Sequence, residues 1–167
     1  MSDSLRTNGH IQQVVNEYSD MLLRIAFTHL ANRHDAEDVV QSVFLKYIEK
    51  QPSFKSSEHE KAWFIRVSIN MCKNHLHAAW FKRTVELDEN MGYHISNEEE
   101  MDEQVIIDAV LNLPLKYRLV IYLFYYEDYS NLQIAKICKL KESTVRSQLF
   151  RARNLLKASL KEAFIDE

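Results

Sequence analysis

The stretch NLQIAKICKLKESTVRSQLFRAR, residues 131–153, decides how the second half of this chain folds. Leu132, Ile134, Ala135, Ile137 and Cys138 supply the apolar content of a short helix over 131–139, and Ala135 is small enough for a second helix to cross closely. Leu140, Lys141 and Glu142 supply a turn, after which Ser143 or Thr144 is placed to cap a final helix reaching about Ala163. On that helix Val145, Leu149 and Phe150 are spaced to pack or wedge, while Arg146, Gln148, Arg151 and Arg153 reach outward. A short helix, a tight turn and an arginine-led second helix form the arrangement that seats a helix N-terminus in the major groove of DNA. Residues 136–161 carry eight basic side chains against the single Glu142, a density that fits a polyanion partner.

Upstream of this block, helices are predicted over 103–112 and, after Pro114, over 115–126. Residues 84–115 contain nine acids and no Lys or Arg, whereas residues 1–83 carry 11 basic and 9 acidic side chains. Two mildly basic halves around an acidic strip predict two domains, 1–83 and 103–167, joined by a linker over 84–102. In the first half, Ile11, Val14, Val15, Tyr18, Leu22, Ile25, Ala26 and Leu30 trace one long amphipathic helix. Asp35 is placed to cap a second helix that buries Ala36, Val40, Val43, Phe44 and Tyr47 and stops at Pro52. Residues 51–57 form a loop before a third helix over 58–80. With only two Gly and two Pro in 167 residues and no strand pattern, the fold class is all-α.

The third helix has two unlike faces. At about 100° per residue, Ile65, Ile69, Cys72 and Leu76 share a narrow apolar stripe. Trp63, Arg66, Asn70, Lys73, Asn74 and His77 share the opposite side. An aromatic, cations and amides together suit unpaired bases and phosphates, and equally a Trp folded onto an ordinary polar surface. No catalytic cluster is visible: the histidines are scattered, and Cys72 and Cys138 form neither a CxxC motif nor a zinc pattern. Neither Gly-rich nucleotide-binding fingerprint can be written with Gly9 and Gly92. No enzyme, metal or cofactor is expected. The polar start and the lack of a long apolar run predict no leader and no membrane span.

Two blocks in order resemble the sigma-70 family of bacterial RNA polymerase sigma factors, specifically its small extracytoplasmic-function group. DAEDVVQSVFLKYIEK with FKSSEHEKAWFIRVSINMCKNHL is similar to region two, and LPLKYRLVIYLFYYEDYSNLQIAKICKLKESTVRSQLFRARNLL to region four. The resemblance implies a region-two helical bundle, a region-four helix-turn-helix and a function in promoter recognition, strand opening and transcription initiation. By position it assigns Asp38 and Gln41 to core polymerase binding; read alone they are a first-turn acid and a surface amide. It assigns Lys50, Phe54, Trp63, Arg66, Asn70 and Lys73 to the minus-10 element, with Phe54 and Lys50 around the loop that pockets a flipped base. Arg146, Ser147, Phe150 and Arg151 fall to the minus-35 element, joined by Thr144 and by Arg153, which is placed equally to contact phosphate there or simply to be solvated. The implied partners are core RNA polymerase, promoter DNA and an anti-sigma factor. The implied location is the cytoplasm, at the inner face of the membrane where the anti-sigma factor is membrane-bound.

The sequence departs from the family pattern at four places. Ser42 replaces an acid after Gln41, Asn74 a frequent aspartate, Gln148 a frequent arginine and Lys139 the customary Gly of the turn. That turn therefore either avoids the left-handed conformation or holds a lysine in it at a cost. Two other functions use the same features: a stand-alone repressor whose first half is a ligand or dimer module and which binds a palindrome without polymerase, and a sigma-like protein that sequesters an anti-sigma factor without restoring transcription.

Overall fold

The computed structural model describes residues 2–83 and 101–165, and the regular elements among them are all helical. The acidic linker expected over 84–102 lies, but for its last two residues, outside the described residues. The chain divides between Ala79 and Trp80 into two compact units.

The first unit holds α1, Ser2–Leu30, α2, Arg33–Lys50, and all but the last four residues of α3, Ser57–Arg83. The α1 stripe buries Val14, Tyr18, Leu22, Ile25, Ala26 and Leu30 as its spacing predicts, and adds Met21. The cap of α2 is Asn32 rather than Asp35: the Asn32 side-chain oxygen accepts the Asp35 amide at 3.0 Å. Asp35 instead sits in the first turn, where its charge suits the positive helix end, and lies 3.5 Å from His75 of α3. The buried face of α2 takes in Val39, leaving Val40 half-buried. Gln51 closes this helix in the left-handed conformation (φ 44°, ψ 56°), its amide bonded to the Tyr47 carbonyl, and Pro52 prevents continuation.

Phe64 joins the three helices. Fully buried, its ring stacks on Tyr18 of α1 at 4.6 Å and meets Tyr47 and Phe44 of α2 at 5.2 and 5.9 Å. Because α3 packs against rings from both neighbours, its buried face is wider than the predicted stripe. Phe64, Val67 and Ser68 are buried with Ile65, Ile69 and Cys72, while Leu76 is half-buried.

In the second unit α4 spans Met101–Leu111, α5 Leu115–Ile121, α6 Asn131–Cys138 and α7 Glu142–Ile165. The helix predicted to run regularly to Tyr126 widens into a π-helical turn over Tyr122–Tyr126. The Tyr122 and Tyr126 rings stack at 5.2 Å, and the Tyr122 hydroxyl donates to the Glu127 carboxylate at 2.8 Å. Ser130 and Gln133 then exchange side-chain and backbone bonds in a reciprocal cap that starts α6. Lys139 occupies the left-handed region (φ 55°, ψ 46°), and the amides of Lys139 and Leu140 both bond the Ala135 carbonyl. Neither Ser143 nor Thr144 caps α7. That helix begins earlier, with the Thr144 and Val145 amides bonded to the Lys141 carbonyl. Val120, Leu123, Ile134, Val145, Leu149 and Ala152 form the core that α7 shares with α4, α5 and α6.

Candidate nucleic-acid and partner interfaces

On α2, Asp38 and Gln41 are exposed. The Asp38 carboxylate has only a loose neighbour, His34 Nε2 at 3.8 Å, and its backbone carbonyl accepts the Ser42 hydroxyl. By helical geometry Leu45 and Ile48 fall within about 80° of Asp38 and Gln41, and they are 60% and 42% exposed. Sequence reasoning missed these two. The signal was present, since VVQSVFLKYI holds more apolar residues than one buried stripe needs. An acid, an amide and two bare aliphatic side chains suit a protein partner better than a phosphate backbone.

The second surface joins the loop 51–56 to the outer face of α3. Arg66, Asn70, Lys73, Asn74 and His77 are exposed there, and Lys50 is exposed at the end of α2. Trp63 behaves differently. Half-buried, its ring stands edge-on to Phe64 at 5.1 Å, Phe54 at 5.8 Å and Tyr47 at 6.0 Å. It therefore props the loop against the helix, and only part of its ring remains available to a base. Burial, then the Glu60 carboxylate, pushes the Tyr47 hydroxyl up, and burial pushes the Cys72 thiol up to about 12. Cys72 is thus a neutral core side chain without nucleophilic character.

The third surface lies on α7. Arg146, Ser147, Phe150 and Arg151 are exposed and share one side of the helix, with Thr144 half-buried beside them. Phe150, given a packing or wedging place by sequence, is 65% exposed and does not enter the core. Gln148 does not reach fully outward: it is half-buried and its Oε1 is shielded from solvent. Arg153 is also drawn inward. Its Nε donates to the Tyr125 hydroxyl at 2.6 Å, and the guanidinium lies 5.1 Å from the Phe124 ring and 5.5 Å from the Tyr125 ring. Arg146 keeps only an exposed ion pair with Glu142 at 3.8 Å, which DNA can displace at little cost.

Among the described residues no group of three His, Cys, Asp or Glu side chains could hold a metal ion. No described helix is long and apolar enough to cross a membrane.

Residues 14–82 match the family model of sigma-70 region 2, and residues 103–156 that of sigma-70 region 4. The ECF RNA polymerase sigma-E factor of Haemophilus influenzae is 31% identical over 159 residues, covering 86% of this chain and 83% of that protein. The RNA polymerase sigma factor SigV of Bacillus subtilis is 24% identical over 161 residues, 96% of each chain. Among solved structures, the sigma factor RpoE in complex with the anti-sigma factor NepR, from Bartonella quintana, superposes with a TM-score of 0.77 at 25% identity. That match covers 90% of this chain and 96% of the other. The helical architecture and the surfaces on α2, α3 and α7 thus occur in a chain that belongs to the sigma-70 family of RNA polymerase sigma factors, a family of transcription regulators rather than catalysts, within its extracytoplasmic-function group.

Proposed function

We propose that the chain works as a sigma factor through three separate grips. Asp38 and Gln41, with Leu45 and Ile48 beside them, hold core RNA polymerase. Phe54 and the exposed Arg66, Asn70 and Lys73 hold the melted minus-10 strand. Arg146, Ser147, Phe150 and Arg151 hold the minus-35 duplex. Taking a base out of the stack costs a few kcal/mol, so a pocket and nearby cations must offset that cost. Binding and positioning do all of this work, and the chain itself catalyses nothing. Domains of residues 1–83 and 103–167, joined by the acidic segment between them, divide these tasks. An anti-sigma factor is the remaining partner, as for the Bartonella sigma factor solved with one.

The observation that carries this reading is the exposed α2 face. An acid and an amide beside two bare aliphatic side chains suit a protein partner. A repressor that pairs through its first half would turn the same face to a second copy, so binding of core polymerase tells the two apart. The test is core affinity and run-off transcription with purified core polymerase. Asp38→Ala combined with Gln41→Ala should abolish core binding and transcription while helicity and duplex binding persist. Unchanged affinity in a core titration overturns the assignment, and inhibitor binding without transcription identifies a sequestering protein instead.

A further inference from the structure

Resting on the reading of the loop around Phe54 as the pocket for a flipped base, we propose that His59 is a positioning residue that sets the loop 51–56 before DNA arrives. The Phe54 ring meets two rings one turn apart on α3: His59, edge-on at 5.4 Å, and Trp63, edge-on at 5.8 Å. His59 adds a second hold, because its Nδ1 accepts the Lys55 amide at 3.3 Å, which places the ring proton on Nε2. The His59 amide in turn donates to the Ser56 hydroxyl oxygen at 3.1 Å. Side chain and following backbone are thus both tied to the first turn of α3, across a stretch without regular structure of its own.

The consequence is preorganisation. A loop ordered during folding does not have to lose its backbone freedom when the base is captured, so more of the contact energy is left for opening the duplex. His59 touches neither polymerase nor DNA in this scheme and acts only through Phe54 and Lys55.

Substitutions separate the two holds. His59→Asn keeps an acceptor near the Nδ1 position without the ring, His59→Phe keeps a ring without the acceptor, and His59→Ala removes both. The full chain is assayed with core polymerase for core affinity and for promoter opening by permanganate reactivity. Exchange of the Lys55 amide is followed by NMR in the free protein. Core affinity should stay at the wild-type value throughout. His59→Ala should slow opening about tenfold, less than the roughly hundredfold that a 1 Å misplacement can cost, with His59→Asn and His59→Phe each recovering part of it. The Lys55 amide should be protected in wild type and His59→Asn, and exposed in His59→Phe and His59→Ala. Wild-type opening by His59→Ala, or an equally exposed Lys55 amide in wild type, overturns the proposal. A Phe54→Ala arm separates the two failures. If Phe54→Ala opens the promoter normally, the base-capture reading falls and this proposal with it; if it fails while His59→Ala is normal, only the role of His59 falls.

Discussion

Arg146 and Arg153 lie two turns apart on α7 and present opposite cases. Arg146 is exposed with one loose partner, whereas Arg153 is fixed by the Tyr125 hydroxyl and two rings. Arg146→Ala should therefore cost about 1–3 kcal/mol on the cognate minus-35 duplex and relax discrimination at one position. Lys157→Ala, about three turns beyond Arg146 on α7 where backbone phosphate is the remaining contact, should weaken all sequences alike and lower the salt slope by about one. Binding of cognate and scrambled duplexes over a salt series distinguishes the two, and equal losses for Arg146→Ala on both duplexes would remove its base contact. Arg153→Ala belongs to folding instead. It should lower thermal stability by about 0.5–2 kcal/mol while the salt slope stays unchanged, with Tyr125→Phe reproducing about 1 kcal/mol through the lost hydrogen bond. Reading the Arg153 side chain from sequence alone was not feasible, because its partner is 28 residues away and only the folded unit brings them together.

At the scale of elements, the turn between α6 and α7 carries its own strain. Lys139 sits where a residue with a Cβ is disfavoured by roughly 1–2 kcal/mol, and its φ of 55° is that of a glycine position. Lys139→Gly should therefore raise stability by about 0.5–1 kcal/mol, after the added freedom of the unfolded chain is deducted; a lower melting temperature would show that the lysine side chain contributes more than its backbone costs. Sequence could say that this turn must choose between two conformations, and the Ala135 carbonyl, bonded by two successive amides, selects the left-handed one. The long helices were legible because apolar residues recur at the helical period, as from Val14 to Leu30. Helix starts were less so. DAED looks like a start, yet Asn32 reaches the Asp35 amide first, and Ser130 with Gln133 forms a cap whose two halves each resemble ordinary polar residues. The widened turn over Tyr122–Tyr126 has no period of its own in the sequence, and a ring stack and a hydroxyl bond accompany it in the fold. Among the proposed interface residues, Asn70 and Arg146 were marked by type and spacing, whereas Asp38 and Gln41 were marked only by the family resemblance. Leu45 and Ile48 were marked by neither, since an aliphatic side chain on an amphipathic helix is first read as core.

At the scale of the whole molecule, two cores share one chain. Phe64 organises the first, and Leu123, Ile134, Val145 and Leu149 fill the second. Calorimetry should resolve two transitions, and Phe64→Ala, at a cost of about 3–5 kcal/mol, should lower only one of them while duplex binding through α7 survives. A single coincident transition, shifted as a whole, would show that the units unfold together. Separate cores also bear on how such a chain can diversify. A substitution that reshapes α7 leaves the packing around Phe64 in place, so under the proposed division of tasks the preferences for the two promoter elements can drift independently. A hybrid carrying residues 1–83 of this chain and the second half of a relative should inherit each preference from its own donor. New promoter pairings are then reachable by recombination without redesigning either fold.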